Sequence, residues 1–162
     1  RETIVEHVRH SLFVSLFDEF KGAERVLDTG SGGGLPAIPL SLCFPEKKFM
    51  INDIVAKKIF AAKDMVNKLS MRDRVKAEAK DISKVSLDGE LIVSKHAFKI
   101  DQLVEYLGKE KWKGIVFLKG YREAVEEFEL LDLKGVSLDV IKLDSPFMPS
   151  FYKGKGVVRL SR

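Results

Sequence analysis

Glycines and carboxylates at short spacing form the clearest chemical signal in the chain. Gly30, Gly32 and Gly34 follow a short apolar run that ends at Asp28. Glycines in such a turn let the backbone bend sharply and let a ligand lie against bare amide groups. A dinucleotide fingerprint, G-x-G-x-x-G, would need its third glycine at the position of Leu35, so the spacing disfavours a nicotinamide dehydrogenase.

A second carboxylate, Asp53, ends the next apolar segment. An acidic residue there can accept both ribose hydroxyls of a nucleoside. The G-x-G-x-G turn after Asp28 resembles motif I of class I S-adenosylmethionine methyltransferases. A pyrophosphate group fits poorly beside Asp28, whereas a sulfonium with an α-amino group tolerates or uses its charge. We therefore expect S-adenosylmethionine as cofactor, bound by Asp28, Gly30, Ser31, Gly32, Gly34, Leu35, Asp53 and Asp81.

Asp81 is the weaker member of this set. It follows the third predicted strand, where a carboxylate can meet an adenine amino group. Because Ser83 and Lys84 come next, it can equally cap a helix.

Alternating apolar segments must position these residues. Strands are expected at 25–28, 48–53, 74–79, 91–93, 114–118, 138–143 and 156–160, and helices at 4–20, 36–44, 56–69, 100–107 and 124–131. Such alternation predicts an α/β fold of about seven strands, mostly parallel, with helices on both faces. The last two strands lack an intervening helix, so we expect an antiparallel hairpin at one edge.

Composition limits the function classes. The chain has 162 residues, 45% hydrophobic and 32% charged, with a net charge of +4. These values fit a folded domain and exclude a mostly disordered chain. The longest uncharged run, 29–45, contains four glycines and three prolines and cannot span a membrane.

The single cysteine, Cys43, excludes an internal disulfide and a cysteine zinc cage, and its apolar neighbours predict a core position. We see no signal peptide, and we expect a cytoplasmic protein with no metal and no membrane partner.

The segment 26–40, VLDTGSGGGLPAIPL, resembles the VLDxGSGxGxPGIPL signature of the RsmG family, also called GidB. Shorter segments follow in the family's order. They are HVRHSL (7–12), ND with KKIF (52–60), SKHAF (94–98) and LKG (118–120). Ala37 stands in place of a family glycine, His10 in place of an aspartate, and the family's S-R-A arginine maps to Lys95 or His96.

The resemblance implies a class I methyltransferase fold and methylation of guanine N7 in 16S rRNA, with the rRNA or the small ribosomal subunit as partner. It divides the chain into an N-terminal helical segment, 1–22, facing RNA, and a methyltransferase domain, 23–162. Lys119, His96 and Lys95 are the expected catalytic residues. The expected RNA-binding residues are His7, Ser11, Lys57, Lys58, Lys119, Lys153 and Lys155.

Basic groups also cluster at 109–113 and 159–162, and Trp112 is expected to anchor a loop against the sheet. The loop 151–155 interleaves aromatic and basic residues, as single-stranded RNA contacts do. Two other functions remain open from the residues alone. One is a class I methyltransferase with a small-molecule or protein acceptor, and the other is a non-catalytic module that binds cofactor or RNA.

Overall fold

The structure is a computed structural model that describes residues 2–108 and 112–162. Residues 109–111, which belong to the predicted basic cluster at 109–113, lie outside the described residues. The described strands are β1 (Arg25–Thr29), β2 (Lys48–Asp53), β3 (Val75–Ala79), β4 (Leu91–Lys95), β5 (Gly114–Gly120), β6 (Ser137–Lys142) and β7 (Lys155–Ser161).

These strands form one sheet in the order β3-β2-β1-β4-β5-β7-β6. The first five are parallel, and β7 runs antiparallel to both β5 and β6. The predicted mixed sheet with an antiparallel edge is thus confirmed. The hairpin is inserted so that β7 lies inside the sheet and β6 forms the edge.

Helices cover the sheet on both faces. They are α1 (Glu2–Leu12), α2 (Asp18–Gly22), α3 (Ala37–Cys43), α4 (Ala56–Lys68), α5 (Ile100–Leu107) and α6 (Tyr121–Glu129). Short 3₁₀ helices occupy Phe13–Leu16, Ile82–Lys84 and Ser150–Tyr152.

The N-terminal apolar stripe does not form the single helix that its spacing predicts. The chain leaves helical geometry at Phe17, whose φ of −85° and ψ of 140° are extended. Val14, Phe17 and Phe20 on either side of this break are all buried against the sheet.

Two apolar clusters fill the space on the two faces of the sheet. One joins Val26, Phe49 and Leu118 to the N-terminal helices and α3, and the other packs Ile92 and Phe117 against α5 and α6. Trp112 belongs to the second cluster, and Arg162 lies over its ring, which confirms the predicted anchor. The core position predicted for Cys43 is wrong, because Cys43 ends α3 on its exposed side.

The strand order decides where a ligand can enter. The chain moves outward from β1 to β2 and β3, then crosses back to β4 on the other side of β1. The connections after β1 and β4 therefore diverge and leave a crevice at the carboxyl ends of these strands.

Candidate functional site

A cleft of about 830 Å³ opens at this switch point, within the range of about 300–1,000 Å³ typical of ligand sites. Its walls come from the segments that directly follow β1, β2, β3 and β4. They include Gly30, Ser31, Gly32, Leu35, Asn52, Asp53, Ile54, Val55, Lys58, Lys80, Asp81, Ile82, Ser83, Lys95, His96, Ala97, Phe98 and Tyr106, together with His7 of α1.

The glycine turn forms the floor, and two of its glycines are required by space and conformation. Gly30 has a φ of +67°, and a Cβ there would meet Ala97 Cβ at 2.3 Å and Phe98 Cε2 at 2.9 Å. Gly34 has a φ of +99°, and its Cβ would meet Ile38 Cδ1 at 2.4 Å. Gly30 lines the cleft, whereas Gly34 lies behind the turn and lets it pack on α3.

Asp28 braces the turn from beneath and is not part of the cleft wall. Its Oδ2 accepts hydrogen bonds from the Ser31 hydroxyl at 2.6 Å and from the Ala37 backbone N–H at 2.8 Å. Complete burial raises the pKa of Asp28 to about 7, against the effect of both hydrogen bonds. Within the described part of the chain, its Oδ1 is buried without a partner and remains available to a donor.

Asp53 joins the second strand to the glycine turn. Its Oδ2 accepts from the Gly32 N–H and its Oδ1 from the Val55 N–H, both at 2.9 Å, and Lys58 Nζ lies 3.9 Å from Oδ2. A carboxylate offers about four lone-pair positions, so each oxygen can accept a further bond from a ligand hydroxyl.

Asn52 and Asp81 complete this acidic end. Asn52 is buried, accepts from the Thr29 hydroxyl and donates to the Lys80 carbonyl, which holds the ends of three strands together. Asp81 caps a 3₁₀ helix, because its Oδ1 accepts from both the backbone N–H and the hydroxyl of Ser83. These bonds hold the pKa of Asp81 below its usual range. The capping alternative is therefore observed, while Asp81 also lines the cleft.

The opposite end of the cleft is basic. His7, Lys95 and His96 line it, and His10 and Lys155 lie beside them; we call these five residues the His–Lys cluster. Lys95 Nζ donates to the His7 carbonyl at 2.8 Å. Burial and the neighbouring Lys155 lower the pKa of Lys95 to about 8. Burial and Lys95 lower the pKa of His96 to about 4, although its side chain keeps an open side.

His96 has an unusual backbone. Its φ is +52°, in the left-handed region that non-glycine residues rarely adopt, and its N–H donates to the Leu118 carbonyl at 3.1 Å. This conformation turns the chain from β4 back over the glycine turn. It thereby places Ala97 and Phe98 against Gly30.

Lys119 does not line the cleft, contrary to its predicted place facing the substrate. Its side chain is buried, and Nζ lies 2.6 Å from Glu127 Oε2 and 3.7 Å from Glu123 Oε1. Successive side chains of a strand point to opposite faces. Leu118 points to the face of α1 and α3, so Lys119 points to the face of α5 and α6.

The other predicted RNA contacts separate into two groups. His7, Lys58 and Lys155 lie at or beside the cleft. Ser11 is buried and donates to the His7 carbonyl, so it serves helix packing, and Lys57 and Lys153 are exposed outside the cleft wall.

Several wall residues were not foreseen from the sequence. Ile54, Lys80 and Ala97 directly follow strands, and the rule that ligands bind at the carboxyl ends of parallel strands could have identified them. Tyr106 comes from the far end of α5, and no sequence motif around it predicts a place in the cleft wall. Asn52 precedes Asp53, and its role depends on contacts with Thr29 and Lys80.

Comparison with known proteins decides the family. The sequence model of the GidB family, described as rRNA small subunit methyltransferase G, matches residues 1–149. The chain belongs to the GidB family. It is 34% identical to the ribosomal RNA small subunit methyltransferase G of Flavobacterium johnsoniae over 166 residues, covering 96% of this chain and 75% of that protein. It is also 34% identical to that of Chlorobium phaeobacteroides over 119 residues, or 72% of this chain. The chain thus spans about half of the Chlorobium protein, 54% by this alignment.

Solved structures support the fold assignment of this GidB member. A SAM-dependent O-methyltransferase from Thermotoga maritima superposes with a TM-score of 0.66 at 14% identity, covering 94% of this chain and 64% of that one. An O-methyltransferase of Brevibacillus brevis in complex with S-adenosyl-L-homocysteine gives 0.64 at 17% identity, covering 96% and 71%. At such identities the likeness shows a shared fold, the class I methyltransferase fold predicted above.

The described residues carry neither a membrane-spanning helix nor a metal-binding cluster. No helix there has the length and apolar character needed to cross a membrane. Residues 2–108 and 112–162 also hold no group of three or more His, Cys, Asp or Glu side chains placed to bind a metal ion.

Proposed function

We propose that this chain is an S-adenosylmethionine-dependent methyltransferase that modifies guanine N7 in the 16S rRNA of the small ribosomal subunit. The observation that carries the proposal is the cleft at the switch point, with Asp53 joined to the glycine turn, in a chain that belongs to the GidB family.

The cleft fits this cofactor in size and in the order of its groups. The acidic end, with Asp53 and Asp81, suits ribose hydroxyls and an adenine amino group. Next to these two carboxylates, Ile54, Val55 and Ile82 provide apolar walls for a base. Asp28 braces the glycine turn from beneath through Ser31 and Ala37, and so holds the floor on which the cofactor would lie. When bound, S-adenosylmethionine supplies an activated methyl group.

The remaining residues suit a nucleophile that needs no base. Guanine N7 carries an in-plane lone pair and no proton, so the protein has to orient the base and exclude water. The guanine ring gains positive charge as N7 is alkylated, and a full cation beside it would oppose the reaction. His96 is neutral at pH 7, because its pKa lies near 4. Lys95, whose pKa lies near 8, is mainly cationic and suits a phosphate of the substrate rather than N7 itself.

The acceptor is tested by methyl transfer from radiolabelled S-adenosylmethionine to 30S subunits from a strain that lacks this modification. We expect incorporation by the wild type and loss of incorporation by Asp53→Ala. Incorporation into a small molecule or protein, with none into 30S subunits, would assign a different acceptor. Donor binding without any transfer would indicate a non-catalytic module.

The cofactor is tested separately by calorimetry with S-adenosylmethionine, S-adenosylhomocysteine and NAD. We expect both adenosyl compounds to bind and NAD to bind more weakly. Tighter binding of NAD would overturn the proposal, whatever the result with rRNA.

A further inference from the structure

The His–Lys cluster gathers all three histidines of the chain at one end of the cleft. His7 and His10 come from α1, His96 follows β4, and the His10 and His96 ring centroids are 5.8 Å apart. Lys95 ends β4 and Lys155 begins β7. Three parts of the sequence far from one another therefore place five basic side chains together.

Aromatic rings form one wall of this cluster. The ring centroid of Phe151 lies 4.9 Å from that of His7 and 6.1 Å from that of His10, and Lys155 Nζ lies 3.2 Å from the Phe151 centroid. The ring face gives Lys155 a weak electrostatic partner, which does not replace a counter-ion.

No carboxylate of the described residues forms an ion pair with any member of the cluster. The nearby charge of Asp28 acts to raise the pKa of Lys95. Asp28 is not an ion-pair partner of Lys95, however, because its hydrogen bonds are made with Ser31 and Ala37. Two other buried or half-buried cations have carboxylate partners, Lys119 with Glu127 and Arg159 with Glu19, whereas Lys95 is bound only to a backbone carbonyl.

His10 provides an independent observation. It is fully buried, and among the described residues neither of its ring nitrogens has a hydrogen-bond partner. Burial, with Lys95 as the next cause, lowers its pKa to about 3, and an approach of the ring to the Gly156 backbone, too poorly aligned to count as a full hydrogen bond, opposes this only in part. A buried polar group without a partner is rare in folded proteins and needs a reason. The His10 ring lies 5.8 Å from that of His96, which lines the cleft, so an anion bound at the cluster would lie near this unsatisfied ring.

The geometry points to an oxyanion site in the His–Lys cluster, which takes a phosphate group of the nucleic-acid substrate. This inference rests on the proposed function, because the cluster borders the acceptor end of the same cleft. A lysine ammonium has three N–H donors. Lys95 uses one of them in its hydrogen bond to the His7 carbonyl, so two remain for an anion. A phosphate would also remove the repulsion between Lys95 and Lys155.

Nuclear magnetic resonance of the histidine rings reads this site directly, because every histidine of the chain belongs to the cluster. The probe is inorganic phosphate, titrated into the wild type at constant ionic strength with chloride as the reference anion. We expect saturable shifts of the His7 and His96 signals that chloride does not produce. Shifts that are equal for chloride and phosphate, or absent, would overturn the inference.

Three variants locate the anion. Lys155→Met should weaken phosphate binding about tenfold, whereas Lys134→Met, which removes an exposed charge elsewhere, should leave it unchanged. His10→Asp should weaken it about as strongly, since an internal carboxylate would occupy the site, whereas the neutral variant His10→Asn should retain it. Equal phosphate affinity in Lys155→Met and Lys134→Met would contradict the inference even where His10→Asp does not fold.

The anion has a second possible source, the carboxylate of S-adenosylmethionine. The titration is therefore repeated with saturating S-adenosylhomocysteine, whose own binding is measured by calorimetry on the same sample. We expect phosphate to bind with unchanged affinity. Displacement of phosphate would assign the site to the cofactor and overturn the substrate assignment. Loss of cofactor binding itself would count against the proposed function, so the two failures are distinguishable.

Discussion

The two ends of the cleft differ in how far the protein satisfies its own charged groups. At the acidic end, Asp53 and Asp81 each accept two hydrogen bonds from neighbouring residues. At the basic end, the His–Lys cluster has no carboxylate partner among the described residues, and one of its histidines is buried without any partner. The acidic end is built by the fold, whereas the basic end is left for a ligand to complete.

Lys119 and Lys95 allow the unpaired cations of the basic end to be compared with a paired cation outside the cleft. Lys95 ends β4 and Lys119 lies in the adjacent β5, on the opposite face of the sheet. Lys119→Met leaves Glu127 as a half-buried charge without its partner. Loss of one member of a buried ion pair costs about 3–5 kcal/mol, so we expect the free energy of unfolding to fall by about 3 kcal/mol. Lys95→Met removes a cation that has no carboxylate partner and should change it by less than about 1 kcal/mol.

Urea unfolding followed by circular dichroism measures both variants. A smaller loss of unfolding free energy in Lys119→Met than in Lys95→Met would contradict the assignment of Lys119 as the stabilising, paired cation. Glu127→Gln gives a second measure of the pair, because it keeps an acceptor for the Ile100 N–H while removing the charge.

Asp53→Ala tests the acidic end. The substitution removes the acceptor of the Gly32 and Val55 N–H groups and the expected acceptor of the ribose. Hydrogen bonds to a charged group are worth about 1.5–3 kcal/mol, so S-adenosylmethionine should bind about a hundredfold more weakly by calorimetry. Asp81→Ala is the matched control, with a loss of about tenfold or less, because Asp81 already caps a helix. An equal loss in both variants would contradict the central place given to Asp53.

Gly30→Ala tests how closely the two walls of the cleft approach. Its Cβ would lie 2.3 Å from Ala97 Cβ at a φ of +67°, so the turn or the segment after β4 must shift. We expect a loss of about 1–3 kcal/mol in the free energy of unfolding and at least tenfold in cofactor affinity. Gly33→Ala is the control in the same turn, because its Cβ would meet nothing within 4 Å. Stability and affinity are measured by thermal unfolding and calorimetry, and similar losses in both variants would argue against this packing.

His10 makes stability depend on pH at the basic end. Its folded pKa of about 3 lies below the ordinary value of 6.5, so between these values the unfolded chain binds a proton that the folded chain does not. Stability from this residue is therefore lost as the pH falls below 6.5. The wild type should lose up to about 1.4 kcal/mol per pH unit relative to His10→Asn between pH 6 and pH 4.

Unfolding of the two proteins in urea across this range provides the measurement. The raised pKa of Asp28 makes stability change with pH in the opposite direction. Because Asp28 is present in both proteins, its contribution cancels when the unfolding free energy of His10→Asn is subtracted from that of the wild type. A difference that stays constant with pH would mean that His10 is not buried in its neutral form.

Local sequence patterns identified most of the fold. The helix 100–107 and the second strand have the predicted bounds, because period and flanking residues are set by neighbours in the chain. The break at Phe17 was missed, because the N-terminal stripe is regular and only burial against the sheet favours the extended residue. Cys43 was misplaced for a similar reason, since its apolar neighbours do not say which side of a short helix faces the core.

The sequence by itself determined the glycine turn, the carboxylate that follows it and the alternating α/β order. Each of these depends on residues close in the chain, through backbone conformation and side-chain periodicity. Only the tertiary structure decided that Lys119 pairs with Glu127 and that residues as distant as His7, His10, His96 and Lys155 meet at one end of the cleft. These contacts depend on strand order and on which face each side chain takes, and both are fixed by packing across the whole sheet.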